Sequence, residues 1–125
     1  MNEQDLFETL QTKPTEENLW DAVCFFQRNI FKTYSGLEFT YELRRGRNGE
    51  YTKELWIDRC GNSKSLVWSS VMLAFSHIGE LGRLVERPKA LGDIRGVTYI
   101  YAIFYRFGLI DVPNRVKEKM DIGHV

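Results

Sequence analysis

The sequence predicts an α+β protein, in which about four helices pack on one face of a small antiparallel β-hairpin or sheet. Its 125 residues have the length of one domain. Most segments repeat apolar residues every three or four positions, which is typical of amphipathic helices, whereas one central segment alternates apolar and polar residues, which is typical of a half-buried strand. Hydrophobic residues make up 43% of the chain, enough for a packed core, and this excludes a disordered protein.

Two helices are expected at the N-terminus. Residues 1–14 predict an acidic helix with Asn2 as its N-cap, and Pro14 interrupts it because proline lacks the backbone N–H. Thr15 is the expected N-cap of the second helix, which should end near Lys32. The apolar stripe of that second helix consists of Leu19, Val23, Phe26 and Ile30.

A β-hairpin should follow. Residues 37–44 alternate apolar and polar side chains, and Asn48-Gly49 is a suitable turn before a returning strand over residues 51–58. In that strand Leu55 and Ile57 should point inward and Trp56 outward. Because an isolated hairpin is marginally stable, we expect helices on its apolar face and a third strand near Leu84-Val85.

The remaining elements are helical. Asn62 and Ser63 are competing N-caps for a largely buried third helix, and Pro88 opens a short turn. A last helix runs from Val97 to Phe107, with Gly108 as its C′ residue. We expect the domain to span residues 1–113 and residues 114–125 to be a polar C-terminal tail.

Charge and cysteine usage limit the class of protein. Seventeen Lys and Arg balance seventeen Asp and Glu, but residues 1–21 contain six acids and one base, so the rest has sixteen bases, eleven acids and a net charge of +5. Basic patches are therefore expected on a chain that is neutral overall. The longest apolar-rich stretch, residues 97–110, is too short to span a bilayer. With no secretory segment, Cys24 and Cys60 are expected as reduced thiols in a cytoplasmic protein that does not bind membranes.

Nothing in the sequence favours catalysis or a metal site. Ser76, His77 and Asp58 could assemble a triad, but a lone histidine near the end of an apolar helix is more often a hydrogen-bonded interior group. Two cysteines 36 positions apart and two distant histidines lack the spacing of a zinc site. Phosphate-loop and dinucleotide motifs are absent. The sequence therefore predicts a protein that is not an enzyme and that uses no cofactor and no metal.

One candidate binding segment, residues 59–65, joins a strand to the third helix and begins with Arg59. It places four polar residues at the expected helix N-terminus, where exposed N–H groups, hydroxyls and an ammonium group would suit a phosphate. The alternative is an ordinary helix cap. These four residues are Asn62, Ser63, Lys64 and Ser65.

Two further basic sets could contact a phosphate backbone or an acidic protein. One is the hairpin tip with Arg44, Arg45 and Arg47, for which the alternative is a solvated turn that protects a sheet edge from aggregation. The other set consists of Arg83, Arg87, Lys89 and Arg95. If all three segments converge, Lys64, the three hairpin arginines and Lys89 are the expected phosphate contacts.

Residues 34–110 resemble a group of small uncharacterised proteins of bacterial genomes and mobile elements. The resembling segments are SGLEFTYELR (35–44), ELWIDRCGNSKSLVWSSVMLAF (54–75) and RPKALGDIRGVTYIYAIFYRFGLI (87–110). The pattern of the group has Lys, Ile and Gly at three positions where this chain has Ser35, Leu66 and Arg87, respectively. The resemblance implies an α+β order, a helix opening at Lys64-Ser65 and a bacterial setting, and no activity.

Two functions from different classes follow as hypotheses. The first is a small non-enzymatic regulatory protein that binds nucleic acid through the basic segments. The alternative is a protein-interaction module that inhibits a host defence system, of the anti-CRISPR or antirestriction type, because the acidic N-terminal helices could mimic nucleic acid. A homodimer through exposed aromatic residues such as Trp56 and Tyr99 is a variant of the second. An enzyme ranks last.

Overall fold

A computed structural model describes residues 2–59 and 61–122 of the chain. In this part the chain forms five α-helices, a 3₁₀ turn at Pro88–Leu91 and one antiparallel sheet with strand order β1-β2-β3-β4, which confirms the predicted α+β class. The helices are α1 (Glu3–Thr12), α2 (Glu16–Phe25), α3 (Trp68–Leu81), α4 (Val97–Arg106) and α5 (Asn114–Met120). The strands are β1 (Phe31–Lys32), β2 (Glu38–Glu42), β3 (Glu54–Arg59) and β4 (Asn62–Val67).

The N-terminal helices begin where their caps predict. Asn2 Oδ1 accepts the Asp5 N–H at 2.9 Å, and Thr15 Oγ1 accepts the Asn18 N–H at 3.2 Å. The expected end of α2 near Lys32 is wrong, because the helix stops at Phe25. Past α2, Arg28 adopts a φ of +67° and its N–H bonds the Tyr41 carbonyl at 2.8 Å. This bend directs the chain into β1, which pairs with β2.

The predicted hairpin is β2 and β3, with Tyr41 opposite Ile57 in the register. Leu55 and Ile57 are buried and Trp56 points to the other face, as expected from the alternation. The helices cover the inner face: the Tyr41 hydroxyl donates to the Val23 carbonyl of α2 at 2.6 Å. The third strand predicted near Leu84-Val85 is not part of this sheet, since Leu84 forms only a single bridge with Asp111.

The segment that was expected to cap the third helix is instead the edge strand β4. It pairs with β3 at six registered positions, from Arg59 opposite Asn62 to Glu54 opposite Val67, and α3 begins only at Trp68. The prediction of Asn62 or Ser63 as an N-cap is therefore wrong. Strand pairing prevails because it places Leu66 opposite Leu55, and both side chains are buried.

The C-terminal part differs from a polar tail. The last predicted helix is confirmed as α4 with Gly108 at C′, where the Leu109 N–H returns to the Phe104 carbonyl at 3.0 Å. Residues 114–120, expected in the tail, form α5, which buries Val116 and Met120 against the core. The packed unit therefore extends beyond residue 113.

Two other expectations concern the thiols and membranes. Cys24 is free and half-buried, and burial raises the pKa of its thiol. The expectation for Cys60 lies outside the described residues. Across the described part of the chain, every helix is too short or too polar to cross a membrane.

Candidate functional site

A cleft runs along β4. It has a volume of about 820 Å³ and opens between the end of β3, the strand β4 and the segment from Ile94 to Tyr99 that leads into α4. Five consecutive residues, 63–67, line it. Side chains from both faces of β4 can line one cleft because β4 is the last strand of the sheet. No strand in the described part of the chain pairs with its outer edge.

Three cations from three different elements meet in this cleft. Arg59 ends β3, Lys64 lies in β4, and Arg95 precedes α4. The pairing of Lys64 with Ile57 places it on the same side of the sheet as buried Leu66, yet Lys64 itself is exposed. Among the described residues none of the three forms a salt bridge, and no carboxylate lines the cleft. The cleft is therefore a region of uncompensated positive charge.

Neutral groups in the cleft also favour an anion. The N-cap of α4 is Gly96, which lies at the cleft together with Val97 and Thr98, and no side chain caps this helix. The first turn of α4 contains no acidic residue, so the positive end of the helix dipole is not compensated locally. Hydroxyl groups add hydrogen-bond donors. They belong to Ser63, Ser65, Ser70 and Thr98.

The inner surface of the cleft is apolar. Its aliphatic lining consists of Ile57, Leu66, Val67, Ile94 and Val97. Tyr99 lies beside them, half-buried, and its ring meets the Phe39 ring edge-on with centroids 5.0 Å apart and planes at 71°. The cleft thus combines an apolar, partly aromatic interior with cationic and hydroxyl groups.

The structure brings only part of the predicted site together. Ser63, Lys64 and Ser65 line the cleft, but they do so from a strand, so the predicted helix N-terminus at this segment is wrong. Asn62 is the first residue of β4. The helix N-terminus that does face the cleft is that of α4, more than thirty residues further along the chain.

The hairpin arginines do not line this cleft. The Arg44 guanidinium lies 3.9 Å from the centroid of the Trp56 ring on the outer face of the sheet, in a smaller depression of about 280 Å³ that also contains Glu42 and Asp58. Arg45 stacks on Tyr51 at 4.3 Å and donates to the Gly49 carbonyl at 2.7 Å, and Arg47 is exposed. These contacts stabilise the hairpin.

The third basic set is also divided. Arg95 lines the cleft, whereas Lys89 is exposed in the 3₁₀ turn and is not among the lining residues. Arg83 pairs with Asp111 at 3.2 Å. The three basic segments therefore do not all reach this cleft; Lys64 and Arg95, from two of them, line it together with Arg59.

Arg59 and Tyr99 were not predicted as site residues. Arg59 opens the basic segment, but without a predicted β4 nothing in the sequence places it beside Arg95. Tyr99 was expected as an exposed aromatic residue of a homodimer interface. His77, considered for a triad, has its Nδ1 2.6 Å from the Leu91 carbonyl, as an interior histidine does.

Comparisons with known proteins add no further information. The chain matches no protein-family model, no curated protein and no solved structure. The site must therefore be interpreted from its own geometry and chemistry.

Proposed function

We propose that this protein is a non-enzymatic binding protein whose cleft along β4 holds the phosphate backbone of a nucleic acid. The observation that supports this most directly is that Arg59, Lys64 and Arg95 line one cleft in which the described residues place no carboxylate. Phosphate contacts in proteins are made by such side chains, by hydroxyls and by helix N-termini, and all three kinds of group are present here.

The neutral charge of the chain is compatible with this function. A protein with seventeen basic and seventeen acidic residues gains no general attraction to nucleic acid, so its binding must come from local charge. Three phosphate contacts to a single strand predict that log K falls with log salt with a slope of about −2. We therefore expect modest affinity that is highest at low salt.

The direct test is fluorescence anisotropy with a labelled 12-nucleotide strand, titrated at several salt concentrations. Removing one cleft cation in R59A, K64A or R95A should weaken binding by about fivefold, which corresponds to ~1 kcal/mol for one exposed charge contact. In each variant the slope of log K against log salt concentration should also become less negative, by somewhat less than one.

Matched controls come from cations outside the cleft. R47A and K89A each remove one exposed positive charge and should bind like the unsubstituted protein. A folded protein that does not bind any strand at low salt would overturn the proposal. Equal losses in the controls and the cleft variants would overturn the assignment to this cleft and favour diffuse contacts that include the sequence-predicted hairpin and Lys89.

A second candidate is an acidic protein partner, because β4 has an unpaired outer edge beside the same cations. An extended acidic segment could add to this edge as a fifth strand. For a second copy of the chain, like-charge repulsion disfavours the antiparallel register that places Lys64 opposite Lys64. Tighter binding of a poly-glutamate peptide than of the oligonucleotide, at the same salt, would favour this candidate.

A further inference from the structure

We infer that the nucleic acid is single-stranded and that one of its unpaired bases stacks on the ring of Tyr99. This inference rests on the proposed function and names the form of nucleic acid that the same cleft receives. It depends on the interior of the cleft, whereas the proposed function depends on its cations.

The apolar interior suits a base. Ile57, Leu66 and Val97 lie beside Tyr99 in the cleft, and phosphate groups would gain nothing from contact with them. A nucleotide has both kinds of surface, a flat apolar base and a charged phosphate. Stacking of bases on aromatic rings next to a cationic groove is the usual way in which proteins bind single strands without sequence preference.

The hydroxyl of Tyr99 supports the same conclusion. Of the six tyrosines, five use their hydroxyl in a hydrogen bond inside the protein, and Tyr99 is the one without such a bond in the described part of the chain. The five partners are Arg115 for Tyr34, Val23 for Tyr41, Gln27 for Tyr51, Val85 for Tyr101 and Asp121 for Tyr105. The Tyr99 hydroxyl is thus available to a ligand, and the position of the ring is fixed by α4 and by Phe39.

The shape of the cleft disfavours a duplex. The cleft has a volume of about 820 Å³, which is in the size range of small-molecule sites. It can therefore accommodate a few nucleotides of a strand. A duplex keeps its bases stacked inside and turns its phosphates outward, so it could reach only the cationic rim and would leave the apolar interior empty. A single strand can place a base inside while its phosphates remain at Lys64 and Arg95.

The test compares three labelled 12-nucleotide probes: a single strand, its duplex, and an abasic strand with the same number of phosphates. The unsubstituted protein should bind the single strand about tenfold more tightly than the abasic strand, which is the effect of stacking one base. Y99L should lose this advantage and bind the abasic strand unchanged. Y99F and Y99W retain an aromatic ring, so their affinity for the single strand should stay within about threefold of that of the unsubstituted protein. These two variants replace Y99L in the test if Y99L does not fold.

The outcomes separate the two proposals. If the abasic strand or the duplex binds as tightly as the single strand, the inference about Tyr99 is wrong, and the phosphate function still stands. If none of the three probes binds, the proposed function itself fails. If free AMP binds as tightly as the 12-nucleotide strand, the ligand is a small nucleotide. That result would refute both the single-stranded ligand and the proposed contacts to a phosphate backbone.

Discussion

Replacing Gly96 with alanine should destabilise the protein strongly, because this residue is constrained by both its backbone and its neighbours. Gly96 has a φ of +80° at the N-cap of α4, a conformation that disfavours a Cβ. A Cβ added there would lie 2.7 Å from Leu66 Cδ1. The Leu66 side chain is only 4% exposed and is packed in the core, so it cannot turn away freely.

The expected magnitude has two parts. The left-handed backbone conformation costs about 1–2 kcal/mol for an L-residue. Displacing a packed leucine costs a further ~1–3 kcal/mol. The free energy of unfolding of G96A should therefore fall by about 2–5 kcal/mol, the sum of these two costs.

Gly49 provides a matched control at the tip of the hairpin. Its φ is +83°, almost the same as that of Gly96, but no atom lies within 4 Å of an added Cβ. The free energy of unfolding of G49A should therefore fall only by the cost of the left-handed backbone conformation, about 1–2 kcal/mol. The difference between the two variants isolates the packing of α4 against β4.

Equilibrium urea unfolding, followed by circular dichroism and fluorescence, gives both values. The reasoning is refuted if G96A and G49A lose the same stability to within about 0.5 kcal/mol, the usual limit of such comparisons. That result would mean that Leu66 does not pack against the start of α4, and the lining of the cleft described above would then be incorrect.

Three further predictions concern other parts of the molecule. M120A should reduce the free energy of unfolding by about 2–5 kcal/mol because Met120 is buried, and unchanged stability in urea would show that α5 is not docked. Burial raises the pKa of Tyr41 well above its ordinary value of 10.0, so the contribution of this group to stability should be constant below pH 10 and fall as the pH rises further, by up to ~1.4 kcal/mol per pH unit. Denaturation series of Y41F should show a smaller slope above pH 10; an equal slope would exclude Tyr41 as its source. K53M should cost about 0.5–1 kcal/mol, because the Lys53 ammonium lies 3.7 Å from the centroid of the Trp20 ring, and K53R should retain this stability in the same urea assay.

The elements that the sequence predicted well are those whose determinants are local. The N-caps Asn2 and Thr15 act on N–H groups three residues ahead, and the C′ residue Gly108 acts on the last turn of α4. The hairpin was found from alternation within each strand and from the Asn48-Gly49 turn. Such features can be predicted from a single sequence because the interacting groups are close along the chain.

The elements that the sequence missed depend on distant partners. The segment Asn62–Val67 combines cap-like residues with two apolar ones, and only its pairing with β3 makes it a strand. Phe31 continues the helical stripe of α2, yet the chain bends at Arg28 and pairs Phe31 with Phe39. In the C-terminal segment, α5 is stabilised by packing of Val116 and Met120 on the core. The other residues of that helix are mostly polar, and for this reason the sequence indicates a polar tail.

The α+β class, the N-caps Asn2 and Thr15, the hairpin turn and the excess of positive charge after residue 21 can all be deduced from the amino-acid sequence. The place where three of these positive charges lie together depends on tertiary packing. Arg59, Lys64 and Arg95 meet because β4 docks on β3 beside the start of α4, whereas Arg44 turns to Trp56 on the opposite face of the sheet. The physical reason is that local geometry follows from neighbouring residues, but a charged cleft requires side chains that are separated along the chain and brought together by burial of the core.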